Sequence, residues 1–288
     1  MTTITERARA KLNLTLRVLG RRADGYHFLE SLIAFADVAD NVTFAPGAVR
    51  EVHMTGPYAA AIAGGNLVDT ALDRIAEADP QALLGRVAVE KRLPIAAGIG
   101  GGSADAAAVL RAVRHANPAA SINWQSIAAS LGADVPVCLA DRTSLVWGIG
   151  EHLEPAGKLP RLDAVLVCPL SASPFGKTKS VFGQLSVSRA AEAAAPAPLP
   201  AFTGRAALVD YMRSIGNDLR APAHAVLPES AAAEAALAAL PDCLYVSLSG
   251  AGPTSYGIFA DATGAAVAAE QLRAHHPNWW VAATKLGD

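Results

Sequence analysis

Four glycines fall in five consecutive positions, Gly98 and Gly100 to Gly102, and run straight into Ser103 and an alanine-rich stretch. Glycine at that density weakens any regular element. Its use is to let backbone amides come close to a ligand. A helix starting there adds unbonded N–H groups and the positive end of its dipole. The segment Pro94-Ile-Ala-Ala-Gly98-Ile99-Gly100-Gly101-Gly102-Ser103 therefore reads as an anion site, most often for phosphate. Ser103 stands where it can act as N-cap, or turn its hydroxyl toward a phosphate or its Mg²⁺. The alternative is a flexible turn without a ligand. Flexible linkers seldom lead into a capped helix flanked by a strand.

Two other kinds of phosphate loop have related patterns. A dinucleotide fingerprint needs a third glycine and an acidic residue about 20 positions on. Here Ser103 takes the place of that glycine, and no Asp or Glu lies between Asp105 and Asp134. The stretch from Ser171 to Gly176-Lys177-Thr178 ends like a Walker loop. Its first glycine is Ser171, however, and Pro174 removes an amide that the cradle would use.

The elements that must position these residues follow from periodicity and punctuation. Arg9 to Leu19 reads as a strand, Arg22 to Gly25 as a turn, and Leu29 to Val38 as a strand through the core. Asn41 to Phe44 and Glu51 to Met54 read as short strands. Asn66 to Ala78 is an amphipathic helix with Leu67, Ala71, Leu72 and Ile75 on one stripe. Val87 and Val89 alternate as in a strand. The helix after the glycines runs to about His115, and Trp124 to Leu131 forms another that ends at Gly132. The polar, Pro/Gly-rich text from Glu151 to Arg161 marks a boundary, giving domains 1–155 and 156–288. Beyond it the order is strand (Ala164 to Cys168), helix (Lys179 to Leu185), helices (Ala206 to Ala239), strands (Leu244 to Leu248, Ser255 to Phe259), helix (Gly264 to His275) and strand (Trp279 to Thr284). That is the order of a ferredoxin-like split βαβ unit. Arg189 to Pro200 is low in complexity and reads as a surface loop.

Composition excludes several classes. The chain has 288 residues, a 52% hydrophobic fraction and a net charge of about −2. It can bury a sizeable core. It has no basic surplus for a phosphate backbone, so nucleic acid is not an expected partner. No stretch reaches the ~20 apolar residues of a membrane span, so no membrane partner is expected, and the N-terminus does not read as a signal peptide. Cys138, Cys168 and Cys243 fit neither a zinc site nor a disulfide framework and read as reduced thiols in a cytoplasm. Assembly stays open between monomer and homodimer.

Separated segments resemble one family. Ala10-Lys11-Leu12-Asn13-Leu14, Pro94 to Ser103 and Leu248-Ser249-Gly250-Ala251-Gly252 are similar to the motifs of the GHMP kinases. Within that family Arg22-Ala-Asp-Gly-Tyr26-His27, the triple glycine and Leu131-Gly-Ala-Asp134-Val-Pro resemble the members that phosphorylate a cytidine-diphosphate-linked sugar alcohol on the non-mevalonate route to isoprenoid precursors. The likeness runs from Ala10 to Phe259. It implies an α+β, two-domain GHMP kinase fold with a mixed α/β N-terminal domain, a ferredoxin-like C-terminal domain and a catalytic cleft between the halves.

The resemblance also implies roles. ATP would lie on Pro94 and Gly98 to Ala104, with Asn66 near the adenine, though Asn66 reads equally well as the N-cap of its helix. Lys11 and Asp134 match the catalytic lysine and aspartate. Asn13, on the same strand face as Lys11, would orient it or bind substrate. Tyr26 and Phe182 match the aromatics on either face of the cytosine, His27 its hydrogen-bonding partner, and Thr178 shares a helix face with Phe182. Ser249, Gly250 and Gly252 would form a turn at the phosphates or the cleft. Asn217-Asp218 matches a family pair without a role. Ala104 stands where many relatives have a second serine, and the ligands of Mg²⁺ are left unassigned. The competing readings are another GHMP kinase acting on mevalonate, homoserine or a sugar, which has no base to stack, and a dinucleotide-dependent oxidoreductase.

Overall fold

In the computed structural model the described residues are 2–62, 65–171, 176–190 and 195–287. Pro174 of the Walker-like stretch and residues 191–194 of the low-complexity stretch lie outside them. In chain order the elements are β1 (Ile4–Asn13), β2 (Arg17–Arg21), β3 (His27–Ala45), β4 (Glu51–Thr55), α1 (Leu67–Ala78), β5 (Arg86–Glu90), α2 (Gly101–Ala116), α3 (Trp124–Leu131), α4 (Val135–Ala140), β6 (Ser144–Gly148), β7 (His152–Pro155), β8 (Leu162–Pro169), α5 (Lys177–Phe182), α6 (Arg205–Ile215), α7 (Arg220–Val226), α8 (Pro228–Ala238), β9 (Cys243–Leu248), β10 (Ser255–Phe259), α9 (Ala262–His275) and β11 (Trp279–Leu286).

These form two compact units, each assembled from several stretches of chain. The first comprises the chain up to Lys11, Val38–Ile95 and Gly100–Asp141. In it the second half of β3 pairs antiparallel with β5, and β5 pairs parallel with β4. Helix α2 packs against α1, α3 and α4. Ala104, Ala106, Ala107, Ala108 and Ala112 are all buried in α2. Alanine favours the helix and lets neighbouring helices approach closely. Helix α1 carries the expected stripe, with Ala71, Leu72 and Ile75 fully buried.

The second unit comprises Leu12–Asp37, Ala96–Ile99 and the chain from Arg142. Its sheet runs β11-β8-β10-β9, antiparallel throughout. Strands first and third in sequence thus lie side by side between the other two, which is the split βαβ arrangement expected. Helices α8 and α9 cover it, burying Val165, Val167, Leu237, Phe259, Ala269 and Leu272 together.

The structure corrects several sequence expectations. The strand expected from Arg9 to Leu19 is two. The amides of Leu14 and Thr15 both reach Leu32 O, at 2.8 and 3.5 Å, and that doubling ends β1. Conversely, the strands expected at Leu29–Val38 and Asn41–Phe44 are one 19-residue strand. Ala39-Asp40 reads as a break, yet Asp40 is fully buried because Lys91 pairs with it. Part of the polar stretch from Glu151 to Arg161 is β7, paired with β6. Helix α4 goes unseen in the sequence because it is only six residues long and starts at Val135-Pro136.

Candidate active site

In the first unit the glycines do more than form a loop. Gly100, with φ +69°, is the N-cap of α2, and Gly101 and Gly102 are already helical. The expectation that Ser103 caps the helix is therefore wrong: it is the third helical residue. Glycine is tolerated there because first-turn amides need no partner within the helix, and alanines carry the rest. Gly102 is exposed and Gly101 and Ser103 half-exposed, so the first turn offers its amides to solvent. Ala104 is buried, and its N–H closes the first helical bond to Gly100 O at 2.8 Å, which removes its amide from ligand binding. Pro94 and Ile99 are buried beside the loop.

Lys11 lies near the end of β1, and its stem crosses Gly100: a Cβ there would stand 2.7 Å from Lys11 Cγ. Any other residue at position 100 would displace the lysine. Lys11 Nζ is 3.3 Å from Asp134 Oδ2, with side-chain exposures of 7% and 43%. The lysine is thus shielded and the carboxylate open. Asp134 occupies the N-cap position of α4 but makes no capping bond. An accessible carboxylate beside a buried cation is placed to accept a proton from a ligand hydroxyl.

Further ties brace this pair. Arg111 of α2 bonds Glu6 at 2.8 Å, Arg7 O at 2.9 Å and Cys138 O at 2.7 Å, so one guanidinium joins β1, α2 and α4. Arg9 bonds Asp141 Oδ1 at 2.9 Å at the far end of α4. Beneath the first turn of α2, Lys91 Nζ bonds both Asp40 and Asp105, all three buried. Asp40 also accepts from the amide of Leu93 at 2.7 Å. A Cβ on Gly101 would come within 3.8 Å of Lys91 Nζ. Burial lifts the Asp105 carboxyl to about 7, although the Lys91 ammonium pulls the other way. Burial works against the Lys91 ammonium, but the two carboxylates outweigh it and its pKa is raised. Sequence reasoning missed this triad. Lys91 stands between Glu90 and Arg92, and Asp40 beside Asn41 and close to Asp37, so no local pattern singled the three out.

Asn66 is the N-cap of α1. Its Oδ1 accepts from Asp69 N at 2.9 Å and its Nδ2 donates to Asp69 Oδ2 at 2.6 Å, which realises the capping alternative.

In the second unit Asn13 is buried, and its Nδ2 donates to Ser31 Oγ at 2.7 Å. Its Oδ1 would lie 3.1 Å from a Cβ on Gly250. The turn from Ser249 to Gly252 packs backbone against backbone on Gly98, where a Cβ would meet Gly252 O at 2.3 Å. Asn217 holds that turn by donating to Leu248 O and Gly250 O, at 2.8 and 2.9 Å. Asp218 accepts from Val18 N at 2.7 Å. These bonds supply the structural role that the sequence left blank for the pair. His27 and Phe182 are brought together, ring centroids 4.9 Å apart. Burial, and then the charge of Arg21, lower the pKa of His27. Phe182 also packs against the Leu16, Val181 and Leu219 cluster. Tyr26, 64% exposed, follows a turn in which its amide bonds Asp24 Oδ1 at 3.2 Å. Thr178 is exposed on the first turn of α5.

Among the described residues no group of three or more His, Cys, Asp or Glu is placed to hold a metal. Asp134, the open carboxylate, is engaged by Lys11. These residues do not make a resident Mg²⁺ site. Among the described residues no helix is long and apolar enough to cross a membrane.

A buried lysine at an open aspartate, beside a helix that starts with two glycines, is an arrangement compatible with phosphoryl transfer by positioning and charge. Comparison with known proteins agrees. Residues 66–142 match the family described as GHMP kinases N terminal domain, and residues 205–278 match GHMP kinases C terminal. A protein of Rhodopseudomonas palustris (strain BisA53) is 44% identical over 99% of this chain and 98% of its own. One of Cereibacter sphaeroides (strain ATCC 17025 / ATH 2.4.3) is 43% identical over 97% of this chain and 98% of its own. Both are named 4-diphosphocytidyl-2-C-methyl-D-erythritol kinase. A crystal structure of 4-(cytidine 5'-diphospho)-2C-methyl-D-erythritol kinase superposes with a TM-score of 0.78 at 32% identity, covering 99% of this chain and all of that one. A homoserine kinase from Cytophaga hutchinsonii, at TM-score 0.68 and 14% identity, shares the fold. The chain belongs to the GHMP kinases, in the family of the 4-diphosphocytidyl-2-C-methyl-D-erythritol kinases. It is an ATP-dependent small-molecule kinase.

Proposed function

We propose that the chain transfers the γ-phosphoryl group of ATP to the 2-hydroxyl of 4-diphosphocytidyl-2-C-methyl-D-erythritol, a step of the non-mevalonate route to isoprenoid precursors. The observation that carries this is the Lys11–Asp134 pair at 3.3 Å in a chain 44% identical to a kinase of that name. Asp134 accepts the proton of the attacking hydroxyl as its oxygen bonds to the γ-phosphorus. The bond from that phosphorus to the β–γ bridging oxygen breaks, and ADP leaves. Lys11 holds Asp134 in place and offsets negative charge on the transferring group.

The triphosphate lies on Gly98 to Ser103, in the loop that Pro94 opens, with Asn66 near the adenine. Tyr26 and Phe182 take the faces of the cytosine and neutral His27 its edge, with Thr178 and Asn13 nearby. Mg²⁺ arrives on the nucleotide, whose phosphate oxygens are its main ligands. The protein acts in the cytoplasm.

A coupled ADP-release assay tests the reading with three acceptors: the cytidyl methylerythritol diphosphate, mevalonate and homoserine. Turnover on the first alone is the expected result. Faster turnover on mevalonate or homoserine would place the chain with another acceptor class.

A further inference from the structure

Lys177 belongs to the Walker-like Gly176-Lys177-Thr178, and the reaction as proposed gives it no task. It opens α5, is 8% exposed, and donates from Nζ to Ala96 O at 2.7 Å and to Gly252 O. The next carbonyls along the glycine loop are also taken. Ala97 O accepts from Thr254 N at 3.1 Å and from Thr254 Oγ1 at 2.7 Å. Gly98 O accepts from Ser249 Oγ at 3.1 Å. Three consecutive carbonyls are thus drawn toward Lys177 and the turn from Ser249 to Thr254, all within the second unit.

In a trans peptide the C=O and the following N–H point in opposite directions. The amides of Ala97, Gly98 and Ile99 must then face away from those partners, as a row. Left-handed φ values at Ala96 (+56°) and Gly98 (+78°) give the alternating backbone that makes such a row concave toward an anion. Ala96 is the weak point, since a left-handed conformation is disfavoured for any residue with a Cβ. Its carbonyl is the one that Lys177 holds. A hydroxyl would not serve equally well there. One nearly dry donor has to bind two carbonyls from separate segments, and an ammonium has three N–H bonds and a charge. That charge lies behind the row of amides and favours an anion in front of it.

We propose that Lys177 is a positioning residue for the nucleotide phosphates: its ammonium holds the Ala96 peptide so that the amides of residues 97–99 face the ligand. This rests on the phosphate-loop reading given above. Isothermal titration of the whole protein with ATP, without acceptor, separates the two ideas. Lys177→Met is expected to weaken ATP binding about 10- to 100-fold, the scale of a lost charge-assisted hydrogen bond. It should leave KM for the cytidyl acceptor within about twofold, since one transferred binding group is touched and the other is not. Lys177→Arg keeps most of the affinity, and ethylammonium restores ATP binding to Lys177→Ala. If the wild type binds ATP and Lys177→Met binds it equally, the inference is overturned. It is also overturned if ATP affinity, acceptor KM and melting temperature all worsen together in Lys177→Met and ethylammonium restores nothing to Lys177→Ala. A wild type that does not bind ATP would defeat the loop reading itself, and this inference with it.

Discussion

The residues proposed for phosphoryl transfer and those proposed for the cytosine are held in opposite ways. Lys11 is buried on a strand with its stem packed over Gly100, while Arg111 and Arg9 clamp β1 to the helix that carries Asp134. Tyr26 stands 64% exposed just after a turn, and His27 and Phe182 lean on each other at 4.9 Å. Phosphoryl transfer depends on placement to fractions of an ångström, and a braced set of backbone and charge contacts supplies it. Stacking on a base tolerates small displacements and gains from apolar surface left open for the ligand. On the proposed roles, the braced set is the part that kinases of different acceptors can share, and the exposed set is where one acceptor would be told from another.

Three substitutions would break or sharpen this contrast. The largest effect belongs to the braced set. Asp134→Asn is expected to lower kcat about 10²- to 10⁴-fold, the range of general-base assistance, with ATP affinity unchanged by titration calorimetry. Unaltered turnover would remove the aspartate from the chemistry. In the exposed set, Tyr26→Ala should raise KM for the cytidyl acceptor roughly 10-fold, as loss of one stacked ring predicts, and leave KM for ATP nearly alone. A change confined to ATP would reverse the two assignments.

The smallest effect is on stability, and it depends on pH. The folded-state pKa of Asp105 is raised to about 7. Between the ordinary carboxyl value and that point the unfolded chain is ionised while the folded one still holds its proton. Folding stability therefore falls as pH rises toward neutrality, and the loss levels off above it. Asp105→Asn does not titrate. Its melting temperature relative to wild type should climb by a few degrees between pH 5 and about pH 8. Melting curves that keep a constant offset across that range would show that Asp105 carries no such proton.

Much of this is legible in the sequence alone. The glycine run, the stripe of α1 and the strand–helix order of the second unit all follow from local patterns, because periodicity and turn chemistry are local properties. What stayed hidden depends on distant partners. Asp40 reads as a break in a strand until Lys91, 51 residues on, neutralises it. Ser103 reads as a cap only while the helix is assumed to start after the glycines. Asn217 has no visible purpose until the turn at 248–250 lies against it. Lys177 reads as the end of a Walker loop, and its carbonyl partners at Ala96 and Gly252 lie 81 and 75 residues away.

The central claim concerns where the phosphoryl group goes, and phosphorus NMR of the reaction mixture observes that directly. With ATP and the cytidyl methylerythritol diphosphate, one new phosphomonoester resonance should grow in step with ADP while the acceptor's diphosphate signals persist. ADP accompanied only by inorganic phosphate, or a new resonance in the polyphosphate region, would contradict transfer to the carbon-bound hydroxyl.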